Sequence, residues 1–148
     1  VILRTSWVVS EHGNNFVKKM LDLSENRKNL KIVDDQVGGP TFARDIAEAC
    51  VEIMDQLISE PKKSGIYHFS GMPDVSWCQF ASVIFKKAGR RTIVRPISTS
   101  EYRTPALRPL NSRLCYELTE STFKIARPHW LNGLDNVIGV LGTSHDTA

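Results

Sequence analysis

"VILRTSWVV" (residues 1–9) decides the fold class. It is rich in β-branched residues, apolar from its first position, and turns polar at Thr5 and Ser6. A run without apolar–polar alternation reads as a strand buried in a parallel sheet, delivering its polar groups at the carboxyl end. Parallel strands need crossover connections, which are usually helices. The rest of the chain should therefore alternate between strand and helix. The run also starts on the first residue with no lead-in, so we expect a truncated start and a sheet whose neighbouring strands lie outside this chain.

Working outward, the alternation holds. After the polar turn "SEHGNN" (residues 10–15), "FVKKMLDLSEN" (residues 16–26) puts Phe16, Val17, Met20, Leu21 and Leu23 on one helical stripe, with Asn14 or Asn15 as N-cap. "LKIVDDQVG" (residues 30–38) is a short strand ending in carboxylates and glycines. "GPTFARDIAEACVEIMDQLI" (residues 39–58) is a long helix with Pro40 and Thr41 at its start and an apolar face of Ile46, Ala47, Cys50, Ile53, Met54 and Leu57. "SGIYHFSG" (residues 64–71) is a strand bounded by glycines. "SWCQFASVIFKKAG" (residues 76–89) is a helix capped by Ser76 and closed by Gly89, with lysines in its last turn. "RTIVRPIS" (residues 91–98) is a further strand, and "ELTESTFKI" (residues 117–125) and "HWLNGLDNVIGVLG" (residues 129–142) are helices. "TSHDTA" (residues 143–148) is predicted to be a disordered tail. The pattern is α/β, with some mixed strand pairing.

Composition narrows the function. A chain of 148 residues, 41% hydrophobic and 24% charged, fits one soluble globular domain. Its longest apolar runs, such as "VIGVLG" (residues 137–142), are far too short to span a membrane. A net charge of +3, scattered along the chain, is too mild for a nucleic-acid partner and suits a single anion site. Cys50, Cys78 and Cys115 are distant and odd in number, which speaks for reduced thiols and a cytoplasmic location. Cys50 and Cys78 lie in helical patterns and are expected in the core. The four histidines show no ligand spacing, so no metal site is expected.

Three stretches carry candidate chemistry. In open α/β sheets ligands bind outside the carboxyl ends of strands, which puts Thr5, Ser6 and Trp7 in a favourable place, although a plain strand end with a core tryptophan has the same pattern. Asn14 and Asn15, before a helix, can cap it or offer N–H groups to a phosphate; capping is the commoner use. In "TPALRPLNSRL" (residues 104–114), Pro105 and Pro109 hold the backbone extended, so that Arg108 and Arg113 point in set directions. Guanidinium forks match phosphate in a bidentate manner, while solvated loop arginines read the same in sequence. The adjacent Asp34 and Asp35 point opposite ways on a strand and suit a turn or N-cap better than a metal. No glycine-rich nucleotide loop follows the first strand. No Tyr-x-x-x-Lys pair is present either, since Tyr67, Tyr102 and Tyr116 are followed four places on by Gly71, Ala106 and Glu120.

The segments "RTSWV…GNNFVKKML", "VDDQVGGPTFARDIA", "GIYHFSG…SWCQFASVIF", "YRTPALRPLNSRL" and "FKIARPHWLNGLDNVIGVLG", in this order, resemble the carboxyl-terminal half of the dTDP-4-dehydrorhamnose reductase family, extended short-chain dehydrogenases/reductases. The resemblance covers residues 1–142. It implies an α/β substrate-binding half that includes the late strands of a Rossmann sheet. It implies NADPH-dependent (or NADH-dependent) reduction of dTDP-4-dehydro-L-rhamnose by the complete protein. The cofactor would be held mainly by an amino-terminal half that carries the glycine-rich loop and the Tyr-x-x-x-Lys pair, leaving the isolated chain inactive. By the same resemblance Trp7, Asn14, Asn15, Arg108, Asn111 and Ser112 would meet the dTDP-sugar, with Trp7 as a sugar platform and the asparagines near the phosphates. Thr5 and Ser6 would lie near the nicotinamide. No catalytic residue falls within the chain. A homo-oligomer formed through exposed sheet surface is a further expectation. The chain departs from the family pattern at Val9, Cys115 and Lys124, where the family usually has Tyr, Asp and Gly. Two other readings share the scaffold: a non-catalytic module such as the regulatory subunit of methionine adenosyltransferase, and a sugar-nucleotide epimerase or dehydratase.

Overall fold

The opening run breaks in two. In the structure, a computed structural model describing residues 1–102 and 105–143, it forms β1 (Ile2–Thr5) and β2 (Val8–Val9), with Trp7 between them at φ 50°. There follow α1 (Phe16–Asn26), β3 (Asn29–Val33), β4 (Val37–Gly38), β5 (Thr41–Phe42) and α2 (Ala43–Ser59). The second half holds β6 (Ile66–Phe69), β7 (Val75–Ser76), α3 (Trp77–Lys87), β8 (Ile93–Ile97), α4 (Glu117–Phe123) and α5 (Trp130–Thr143). Of the expected tail, residues 144–148 lie outside the described residues, as do Arg103 and Thr104 of the proline-rich stretch.

The expected mixed pairing is present. β1 runs parallel to β6, from Ile2 opposite Ile66 to Thr5 opposite Phe69. β2 pairs with β5 and β3 with β8, both parallel, while β4 and β7 are antiparallel. The parallel pairs join segments distant in sequence, with helices packed against them, as a crossover topology requires.

Local chemistry places several helix ends. Asn15 caps α1: its Oδ1 accepts from the Lys18 N–H at 3.2 Å and its Nδ2 donates to the Ser10 carbonyl at 2.6 Å. Ser76 and Gln79 form a capping box at α3, with side chain to backbone bonds of 3.0 and 2.8 Å. Gly89 ends that segment at φ 63°. Two expected boundaries are corrected. Pro40 and Thr41 do not start α2, because Thr41 pairs in β5 and its hydroxyl bonds the Gly39 carbonyl and the Gly71 N–H instead of capping. α4 stops at Phe123, where Lys124 takes up the left-handed conformation at φ 61°. Here the family's usual glycine has a plain reason.

Two cores result. One gathers Val17 and Met20 of α1, Leu30 and Ile32 of β3, Phe80, Ile84 and Phe85 of α3, and Trp130 and Leu134 of α5. The other joins Ala49 and Ile53 of α2 to Tyr67 and Phe69 of β6 and to Phe123 next to Tyr116. Where the cores meet, backbones cross at glycine: a Cβ on Gly71 would overlap the Pro40 carbonyl, and one on Gly39 the Gly71 carbonyl oxygen.

Cys78 is buried as expected, but Cys50 is exposed, which corrects that expectation. α2 is apolar over a wider arc than the described residues cover. Ala49 and Ile53 face the core, whereas Cys50, Met54 and Ile58 line an open apolar depression with Val1 and Leu3. The expected burial of the first strand is corrected on the same ground. Ile2 is 59% exposed, since β1 pairs only with β6 among the described residues.

Candidate functional site

A cleft of about 1030 Å³ opens between the first core and the proline-rich stretch. Three distant segments build its floor. The Val37 N–H donates to the Leu110 carbonyl at 2.9 Å, and the Ser112 N–H to the Val37 carbonyl at 2.8 Å, so residues 110–112 run along β4 as an added strand. Ser6, just past β1, donates from Oγ to the Ser112 carbonyl at 3.4 Å. Gly38 sits at the junction: a Cβ there would stand 2.9 Å from the Trp7 ring and 3.3 Å from Ser112 Cβ.

Trp7 projects from the break between β1 and β2. A positive φ on a bulky residue costs about 1–2 kcal/mol, and it bends the chain sharply enough to send the indole into the cleft wall. The ring lies on Trp77, with centroids 3.4 Å apart and planes 8° from parallel. Phe16 packs on Trp77 at 4.4 Å with its plane tilted by 45°, and all three rings line the cleft.

The electrostatics favour an anion. Lys19, Arg27, Lys31 and Arg108 line the cavity against one carboxylate, Glu101. A concave surface of one sign focuses potential and draws in the opposite charge. Arg108 is exposed and makes no hydrogen bond or ion pair with the described residues, whereas Arg113 turns to Asp74 at 3.7 Å. Asp74 is also held by Arg127, so the second arginine of the stretch serves the fold.

A clamp shapes the rim. Asp35 accepts from the Thr99 N–H at 3.0 Å and from its Oγ1 at 2.6 Å, a bond between segments 64 residues apart. Gln36 donates to the same hydroxyl at 3.1 Å. These bonds fix the short turn Thr99–Glu101 that carries Glu101 and Tyr102 to the cleft. Hydrogen bonds from Thr99 pull the Asp35 carboxyl below its ordinary pKa, and bonds from Ser98 do the same for Glu101.

Of the residues picked out in sequence, the structure brings Trp7, Arg108 and Ser112 to the cleft, with Ser6 bonded beneath it. Asn111 supports it from behind: it bridges Val37, and its Oδ1 accepts from the Arg113 N–H at 3.1 Å. Thr5 stands exposed at the carboxyl end of β1. Asn14 and Asn15 are absent from the cleft lining. Asn15 has its side-chain oxygen and nitrogen engaged in the α1 cap, so the capping alternative accounts for it. Val9 is 2% exposed, and Cys115 bonds Glu117 at 2.8 Å, at the start of α4. Sequence reasoning missed Lys19, Lys31, Trp77 and Tyr102. The first two share a helix face or strand with core residues, and Trp77 reads as the first apolar residue of α3.

The chain matches the family described as the RmlD substrate binding domain over residues 1–142. It is 45% identical over 146 residues to a dTDP-4-dehydrorhamnose reductase of Aggregatibacter actinomycetemcomitans, covering 93% of this chain and 49% of that protein. The crystal structure of a dTDP-4-dehydrorhamnose reductase from Clostridium acetobutylicum superposes with a TM-score of 0.87 at 35% identity, over 95% of this chain and 48% of that one. The enzyme of the same name from Bacillus anthracis, in complex with NADP, gives 0.79 at 36% identity, over 92% of this chain and 47% of that one. The chain thus spans about half the length of the curated relatives it matches, and its fold is the mixed α/β arrangement of these extended reductases. With a match over nearly its whole length, the chain belongs to the RmlD substrate binding domain family.

Proposed function

We propose that this chain is the sugar-nucleotide-binding half of an NADPH-dependent reductase of dTDP-4-dehydro-L-rhamnose. The observation that carries the reading is a cationic cleft with an aromatic wall, lined by Trp7, Ser112 and an Arg108 that has no hydrogen-bond or ion-pair partner among the described residues. A nucleoside diphosphate sugar asks for these features together: guanidinium and ammonium groups for the diphosphate and a flat apolar face for the sugar. Similarity to the named reductases supports the choice of dTDP over other nucleotides.

The chain's own part is binding and orientation. Arg108 and the lysines take the diphosphate charge, and Ser112 fixes the register of the ligand against Trp7. The residues here fit only one end of a dinucleotide. Thr5 stands exposed at the carboxyl end of β1, but no glycine-rich loop follows a strand to cradle a pyrophosphate. A bound nicotinamide would supply the hydride; the Tyr-x-x-x-Lys pair that the resemblance implies as proton donor is not in this sequence.

The test is calorimetric titration of dTDP, dTDP-L-rhamnose and NADPH into the purified chain. Binding of both thymidine nucleotides with little or none of NADPH supports the reading. Saturation by NADPH without binding of dTDP-L-rhamnose overturns it.

A further inference from the structure

We infer that Trp77 is a positioning residue for the sugar end of the ligand, holding the Trp7 indole in the orientation from which it meets the sugar ring. The inference rests on the sugar-nucleotide reading of the cleft and extends it to a residue that makes the site selective.

Trp7 stands in a break between two short strands, so its backbone alone fixes its ring poorly. The ring is fixed from outside. Trp77 covers one face at 3.4 Å, and Gly38 leaves room at the rim that any Cβ would take from the indole. Ring quadrupoles prefer offset or edge-on pairs over a face-to-face overlay. The overlay is therefore set by the packing around the two rings and not by their mutual preference. Trp77 is the first residue of α3, immediately after the doubly bonded Ser76 cap. Phe16, the first residue of α1, packs on Trp77 at 4.4 Å and on Phe80 at 5.8 Å, and Phe80 is wholly buried. A column of rings thus runs from the core through Phe16 and Trp77 to Trp7. With one face occupied, Trp7 has its opposite face left for a ligand. Because Trp77 acts through Trp7, its loss should be felt by the sugar and not by the nucleotide.

The experiment titrates dTDP and dTDP-L-rhamnose into the wild-type chain, Trp77→Leu, Trp77→Phe, Gly38→Ala, Trp7→Ala and the Trp7→Ala/Trp77→Leu double variant, each also followed by ultraviolet circular dichroism. The stacked indoles should give an exciton couplet in the wild type that dTDP-L-rhamnose perturbs and dTDP does not. Trp77→Leu should lose the couplet and weaken dTDP-L-rhamnose about tenfold, the equivalent of one aromatic contact, while dTDP affinity stays within about twofold. Trp77→Phe should recover most of the loss, and Gly38→Ala should reproduce it by displacing the Trp7 ring. In the Trp7→Ala background, Trp77→Leu should have no further effect. Equal losses for both ligands, no loss for either, or additive losses in the double variant would overturn the inference alone. Should Trp77→Leu fail to fold, Trp77→Phe and Gly38→Ala decide it, and unchanged sugar selectivity in Gly38→Ala refutes it. If the wild type binds neither nucleotide, the sugar-nucleotide reading falls and the inference with it.

Discussion

Arg108→Ala tests the cleft most directly. Arg108 bonds no described residue and is exposed, so its removal leaves no buried group unpaired. Its unfolding free energy should stay within about 0.5 kcal/mol of wild type, as for other surface substitutions. Binding is where the loss belongs. A charge-assisted hydrogen bond to phosphate is worth about 1.5–3 kcal/mol, or roughly ten- to a hundred-and-fifty-fold in affinity. The lower half of that range is expected here, because the site is open to solvent and Lys19, Arg27 and Lys31 continue to neutralise the diphosphate. Arg108→Lys should recover only part of the loss, since an ammonium keeps the charge but not the bidentate fork. Calorimetric titration of dTDP-L-rhamnose into the three proteins at low and high salt measures both terms. The Arg-to-Ala difference should narrow as salt screens the charge, while the Arg-to-Lys difference, being geometric, should persist. Equal affinities for all three proteins at low salt would show that Arg108 is a solvated loop charge, and the diphosphate reading would lose its main support.

Gly71→Ala should destabilise the fold by about 2–3 kcal/mol in urea unfolding, because its Cβ would overlap the Pro40 carbonyl with no flexible side chain to yield; a change below about 0.5 kcal/mol would mean that the crossing is loose. The rim clamp should respond to acid. The folded Asp35 pKa is held below the ordinary 3.8 by its bonds from Thr99, so its contribution is complete above about pH 5 and is lost as pH falls through the folded value. The thermal-stability deficit of Asp35→Ala should therefore be largest near neutrality and shrink below pH 4, and a deficit that grew in acid would reverse the assignment. Finally, the β1 edge that has no partner strand among the described residues and the apolar depression lined by Met54 and Ile58 should drive concentration-dependent association. Met54→Glu/Ile58→Glu should reduce it in light scattering, and a strict monomer over a wide concentration range in the wild type would count against the prediction.

Local signals set the elements of this fold. The Asn15 cap, the Ser76–Gln79 box and the stop at Gly89 each act within a few residues, so the sequence announces them and the structure repeats them. The parallel strands followed from uninterrupted apolar runs separated by helical periods. Tertiary structure decided the rest. Periodicity shows that a helix has an apolar face but not what covers it, which is why Cys50 read as core and lies exposed, while Trp77, unremarked in the α3 pattern, lines the cleft. Two arginines five residues apart looked alike until Arg113 found Asp74 and Arg108 found no partner among the described residues. Ser6 meets Ser112 across 106 residues of chain, and Trp7 takes a conformation that its own side chain disfavours because Trp77 and Gly38 leave it one place to lie. A side chain that binds and one that packs can carry the same local pattern. What separates them is which distant segment closes over them, and that is settled by the packing of the whole chain.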